Sequence, residues 1–153
     1  MDKKKKIFIY TLIGIFALMQ IYPSKRPEVT AINPDDLIKN TNTPENIAYM
    51  LKSACYDCHS NESTYPWYAN IAPVKWWIYD HINEGREDLN FSTWATLSKT
   101  DQAEALDDIA TAVMEGEMPL KPYPITHPKA KLSEADRQAI SDWTEILSEK
   151  LFE

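Results

Sequence analysis

The first hydrophobic block of the chain is unbroken. Four lysines, Lys3 to Lys6, precede "IFIYTLIGIFALMQIY", the 16 residues from Ile7 to Tyr22, which contain no charge. A basic start followed by an apolar run marks an export signal or an uncleaved anchor. The run is slightly shorter than the roughly 17–25 residues of a spanning helix, and snorkelling lysines can extend its reach. No small-x-small cleavage pattern lies near Ala17 to Ser24, where Met19, Gln20 and Ile21 are bulky. The reading favoured is an uncleaved membrane-anchor helix over residues 1–22. The lysines stay in the cytoplasm and the remaining chain lies across the membrane.

Beyond it the pattern changes. Residues 23–42 are polar and carry Pro23, Pro27 and Pro34, which reads as a tether. A domain over residues 43–153 follows, with helical periodicity in four places. Thr43 is the expected N-cap of the first helix, with Pro44 at its first position; Ile47, Met50, Leu51 and Ala54 form its stripe. The second is expected from Pro73 to Glu84, with Val74, Trp77, Ile78, His81 and Ile82 on one face and Gly85 as its stop. The third is expected from Thr100 to Glu115, with Ala103, Leu106, Ile109, Ala110, Val113 and Met114 facing the core and Gly116 ending it. The fourth begins at the N-cap Ser133 and buries Ile140, Trp143 and Leu147. Between the last two lies "EMPLKPYPITHPKAKL", whose four prolines exclude helix and central strand. No repeat and no strand pattern is evident.

Composition narrows the function classes. Three glycines and ten prolines suit helices with stiff connections. From Tyr22 to Glu153 there are 12 Lys and Arg against 22 Asp and Glu, a net charge of −10. That argues against a nucleic-acid partner and suits a partner with a basic surface.

The chemistry concentrates in "CYDCH", residues 55–59, which holds both cysteines of the chain. The spacing C-x-x-C-H reads as a c-type haem attachment. Cys55 and Cys58 can each bond one vinyl group of a single porphyrin, and His59 then lies under the iron as the proximal ligand. This attachment is made outside the cytoplasm, so the motif and the export segment support each other. Three alternatives stand beside it. A zinc site needs four ligands, here Cys55, Cys58, His59 and one of His81 or His127. A redox-active pair wants a βαβ context. A Cys55–Cys58 disulfide closes a tiny loop and gains little.

For the sixth position on the iron, Met118 in "GEMPLKPY" is the first candidate. A proline-rich loop can hold a thioether over a haem face, and thioether ligation raises the potential. The bland reading is a gap-filling methionine. His81 is the alternative distal ligand, or simply a core histidine. His127 reads as a capping or surface group, and Met114 as packing. Aromatic residues are dense around the motif, and most serve as core. Trp67, Trp77 and Tyr123 are candidates for the haem surroundings, and Arg86 and Lys75 are the nearest cations for its propionates.

Together, "CYDCHSNESTYPWYANIAPVKWWIYDHINEGREDLNFSTW" and "GEMPLKPYPITHPKAKLSEADRQAISDW" resemble the small bacterial haem-binding domain family, related to class I cytochromes c. The resemblance covers about residues 30–150. It implies an all-α, cytochrome c-like domain around one covalently bound haem c, with its N- and C-terminal helices crossing beside the haem. Cys55, Cys58 and His59 match the family's attachment motif, and Met118 matches a Met-Pro like the distal ligand of class I cytochromes. The function expected is a monohaem electron carrier held at a bacterial inner membrane, its domain on the periplasmic side. Two alternatives stay open: a peroxidase-like enzyme with an open or His-ligated distal site, and a gas or redox sensor.

Overall fold

The structure, a computed structural model, describes residues 2–153. Helix α1 runs from Lys3 to Ile21, and every side chain from Lys3 to Leu18 is exposed. Among the described residues no helix is long and apolar enough to cross a membrane. Lysines take up the first four of the 19 residues of α1, so its uncharged part rises only about 22 Å, against a hydrocarbon core of roughly 30 Å. Its C-terminal end is fixed to the domain. The Gln20 side chain donates to the Ala72 carbonyl (3.1 Å) and accepts from the Ala72 amide (2.9 Å). Lys75 donates to the carbonyls of Gln20 and Tyr22, each at 3.3 Å.

The segment expected as a tether divides in two. Its second half belongs to the domain: Asn33, Asp36 and Leu37 are buried, and a turn of helix, α2, spans Leu37–Asn40. Asp36 caps α2 by accepting from the amides of Ile38 and Lys39, and its other oxygen accepts from the Tyr56 hydroxyl at 3.1 Å. The first half is strapped on through backbone carbonyls. Pro27 accepts from the Tyr65 hydroxyl (2.9 Å) and Glu28 from Arg86 (2.9 Å).

Helix α3 (Glu45–Ala54) buries Ile47, Met50, Leu51 and Ala54, the stripe expected. Thr43 is not its cap; its hydroxyl meets that of Thr41 at 2.7 Å, and Pro44 occupies the cap position. The chain then turns at Cys55 into the single turn α4 (Tyr56–His59). Helix α5 (Val74–Asp88) passes through Gly85 rather than stopping there. Helix α6 (Lys99–Met114) is capped by Ser98 and buries Leu106, Ile109 and Val113, while Met114 is 48 % exposed. The proline-rich segment contains one helical turn, α7 (Tyr123–Thr126), where the sequence suggested none. Helix α8 (Glu134–Lys150) starts in a capping box between Ser133 and Asp136 and buries Ile140, Trp143, Thr144 and Leu147.

The architecture is all-helical, with no strand among the described residues. The most extensive helix pair is α6 with α8, and α3 packs on α8. Their shared core continues through Tyr56, Phe91 and Trp94 to Leu37. Leu37→Ala is therefore expected to lower unfolding free energy by about 2–5 kcal/mol, as for other fully buried leucines. Met114→Ala should stay within about 0.5 kcal/mol, the range of ordinary surface changes. Denaturant melts of both variants check this, and a neutral Leu37→Ala would return residues 33–40 to the status of a tether.

Candidate functional site

Helix α5 carries an apolar face that the protein itself leaves uncovered. Val74 and Trp77 are 41 % and 45 % exposed although they lie on the stripe the sequence assigns to the interior. With Ile78, His81 and Ile82 they form one wall of a cavity of about 460 Å³. The proline-rich segment contributes Met118, Pro119, Leu120, Tyr123 and His127 to its lining. Cys58 and His59 line the same cavity from α4. Its size suits a small-molecule or cofactor site.

Gly85 sets how closely α5 lies against α4. A Cβ there would stand 3.1 Å from the Cys58 carbonyl oxygen and 3.3 Å from His59 Cε1. The glycine is buried and lets one backbone rest on the other. The turn of α4 is then locked from three directions. The Ser60 hydroxyl donates to the Tyr56 carbonyl (2.7 Å), the Ser63 hydroxyl to the Asp57 carbonyl (2.6 Å), and Arg86 Nε to the Ser60 carbonyl (2.8 Å).

His59 Nδ1 lies 3.1 Å from the Leu89 carbonyl. A carbonyl only accepts, so Nδ1 carries the proton and the neutral ring keeps its Nε2 lone pair for a metal. A second bond that fixes tautomer and orientation is the usual companion of a ligating histidine. Phe91 packs against the ring, with centroids 6.0 Å apart.

The two thiols are free. Burial pushes Cys55 up to about 12. Burial, and then the Asp57 charge, push Cys58 up to about 11. Both are neutral thiols at physiological pH, the opposite of the low-pKa thiolate of a redox-active pair. Among the described residues no group of three or more His, Cys, Asp and Glu is placed to hold a metal ion, so the donors of the zinc alternative are not gathered. A haem needs two thiols in a C-x-x-C-H sequence, one oriented imidazole, an apolar cavity and a further donor, and His59, Cys58 and Met118 line this cavity with Cys55 three residues before Cys58. The residues fit that group.

Asp57 was not anticipated from the sequence. Its carboxylate accepts from the Tyr123 hydroxyl (2.6 Å) and the Thr64 amide (2.8 Å). It thus ties the turn α4 to the proline-rich segment, which also lines the cavity. Burial, and then this bond, raise the Tyr123 phenol well above its ordinary range. Tyr123 also stacks on His127, with centroids 4.0 Å apart.

Of the residues singled out from the sequence, the cavity brings together Cys58, His59, Trp77, His81, Met118 and Tyr123, with Cys55 at the edge of the core. His127, expected as a capping or surface group, also lines it. Three others lie away from it. Trp67 is 77 % exposed and does not line the cavity. Arg86 spends its guanidinium on the Ser60 and Glu28 carbonyls and the Ser63 hydroxyl, so it buttresses α4 rather than facing the cavity. Lys75 is committed to the end of α1. His81 Nδ1 donates to the Trp77 carbonyl one turn earlier (2.9 Å), an intrahelical bond that leaves Nε2 free in the cavity.

Comparison with protein families matches residues 14–146 to the model described as Haem-binding domain. No match was found among curated proteins or solved structures.

Gly85→Val is expected to force α4 and α5 apart, because branched methyls would meet the Cys58 backbone. The haem content of the purified full-length variant should fall well below that of wild type while its helical circular dichroism persists. Unchanged haem content would mean that the close approach is dispensable.

Proposed function

The chain belongs to the haem-binding domain family, and from that premise we propose that it is a monohaem c-type, cytochrome-like electron carrier attached to a membrane. Cys55 and Cys58 would hold the haem through thioether bonds, His59 would be the proximal ligand and Met118 the distal one. The observation that carries this reading is the pairing of His59 and Met118 on one cavity, with the His59 Nε2 lone pair left free by the Leu89 carbonyl. When bound, such a haem supplies one-electron chemistry at iron, and thioether ligation favours the reduced state.

The protein's own contribution is positioning and exclusion of water. The Leu89 carbonyl holds the imidazole tautomer. Asp57 and Tyr123 tie the proline-rich segment to α4. The apolar face of α5 keeps the site dry. None of these groups needs to transfer a proton, which suits a carrier better than an enzyme. The second reading, a peroxidase-like or sensor protein, draws on His81: its free Nε2 in the same cavity is available as a ligand or an acid–base group.

Spectroscopy of variants decides between them. Ferric wild type is expected to be six-coordinate and low-spin. Met118→Ala should lose the near-infrared charge-transfer band of a thioether–ferric bond, open the site to exogenous ligands and lower the midpoint potential. His81→Ala should leave the band in place. If Met118→Ala keeps the wild-type spectrum and His81→Ala turns high-spin, the distal ligand is His81.

Attachment and partner belong to the same proposal. From Ile7 to Leu18 the uncharged stretch of α1 is exposed on all sides, and the preceding lysines can snorkel to extend its reach. The cavity lining contains Asp57, Glu84 and Asp88 and, among the described residues, neither lysine nor arginine. With the domain's net charge of −10, this favours a redox partner with a basic surface. On this reading the domain works on the periplasmic side of a bacterial inner membrane. Full-length protein in lipid vesicles should stay bound through a high-salt wash. Its electron exchange with a basic redox protein should slow as salt rises, since the screening length at about 0.15 M is roughly 8 Å. Release by salt, or rates flat with ionic strength, would contradict the anchor or the acidic docking face respectively.

A further inference from the structure

Met118 is held through its backbone, by partners that lie outside the proline-rich segment. At the end of α6 the last carbonyls lack intrahelical partners. The Ala112 carbonyl accepts from the amides of both Glu117 and Met118, each at 3.0 Å. Gly116, at φ 74°, makes the left-handed turn this requires. The next residue, Pro119, is buried and has no amide to donate. The Met118 amide is therefore fixed by α6, while its carbonyl needs a donor from elsewhere.

That donor is Arg137, in the first turns of α8. Its Nη1 donates to the Met118 carbonyl at 2.9 Å and also to the Val113 carbonyl in the last turn of α6. One cationic group thus joins the end of one helix, the start of another and the carbonyl of a cavity-lining methionine. Charge-assisted bonds of this kind are about twice as strong as neutral ones, and a cation at a helix C-terminus is favourable. The capping box at Ser133 and Asp136 fixes the turn from which Arg137 extends. With amide and carbonyl both held, the side chain of Met118 is the part left to act, and it lines the cavity.

We propose that Arg137 is the positioning residue for the Met118 thioether, holding the loop so that the sulfur stays over the haem iron. This rests on the reading of Met118 as the distal ligand. Arg137 does not line the cavity, and its link to the site runs through the Met118 carbonyl.

The test uses the full-length haem-loaded protein with Arg137→Met, Arg137→Lys and Met118→Ala. Losing one charge-assisted bond corresponds to a change of roughly tenfold or more in the equilibrium for ligation by Met118. Arg137→Met should therefore weaken the thioether–ferric band, shift its loss to lower pH in a titration, and raise carbon monoxide binding to the ferrous protein by about that factor. Arg137→Lys keeps the charge and a donor, so it should recover part of the band. If Arg137→Met does not fold or load haem, Arg137→Lys is read alone, and a band titrating as in wild type overturns the inference. A lowered unfolding midpoint with unchanged band and carbon monoxide binding also overturns it, since that is a merely structural role. Should Met118→Ala itself keep the band, the ligand assignment fails and not the reading of Arg137 alone.

Discussion

The close approach of α5 to α4 is the constraint on which the site depends. A Cβ at position 85 would crowd the Cys58 carbonyl and the His59 ring. Without one, the turn α4 lies against the helix, and the helix presents Val74, Trp77, Ile78, His81 and Ile82 beside it as one wall of the cavity. The same proximity lets Arg86, a single residue beyond the glycine, reach the Ser60 carbonyl and hold the end of α4. Leu89, immediately past the end of α5, supplies the carbonyl that sets the His59 tautomer. A glycine that costs helix stability, about 0.5–1 kcal/mol relative to alanine, is retained where it shapes the site.

The proline-rich segment obeys a different economy. It has little regular structure of its own, the turn α7 and a short 3-10 helix at Pro128–Ala130, and it borrows order from its neighbours. Asp57 holds it at Tyr123, and the end of α6 holds it at Met118. Such a segment can be fixed at its two ends and still accept a flat, apolar cofactor between it and α5. The apolar lining would also help to stabilise a bound haem by removing its surface from water.

Much of this was legible before the structure. The stripe of α3 was recoverable because four apolar residues recur at helical spacing, and the start of α8 because Ser133 with Asp136 is a local signal. Cys55, Cys58 and His59 stood out as a candidate site because C-x-x-C-H is a local pattern. Other features were not. Leu37 is a lone apolar residue in a polar stretch, so no period announces its burial. Gly85 carries the same local signal whether it ends a helix or admits a neighbouring backbone, and only the fold distinguishes the two. Trp67 and Arg86 are close to the motif in sequence, but proximity does not fix direction. One is exposed, and the other spends its donors on backbone carbonyls and a serine hydroxyl. Arg137 and Asp57 act across elements far apart in sequence, a relation that no local pattern encodes.

The central claim is that this cavity holds one haem bonded to the chain through Cys55 and Cys58. The most direct measurement is the intact mass of the full-length protein after denaturation and acid-acetone extraction. The account predicts the mass of the chain plus one haem, with Cys55→Ser combined with Cys58→Ser returning the chain to its bare mass. Wild-type protein at bare mass, with its haem released into the solvent, would contradict it.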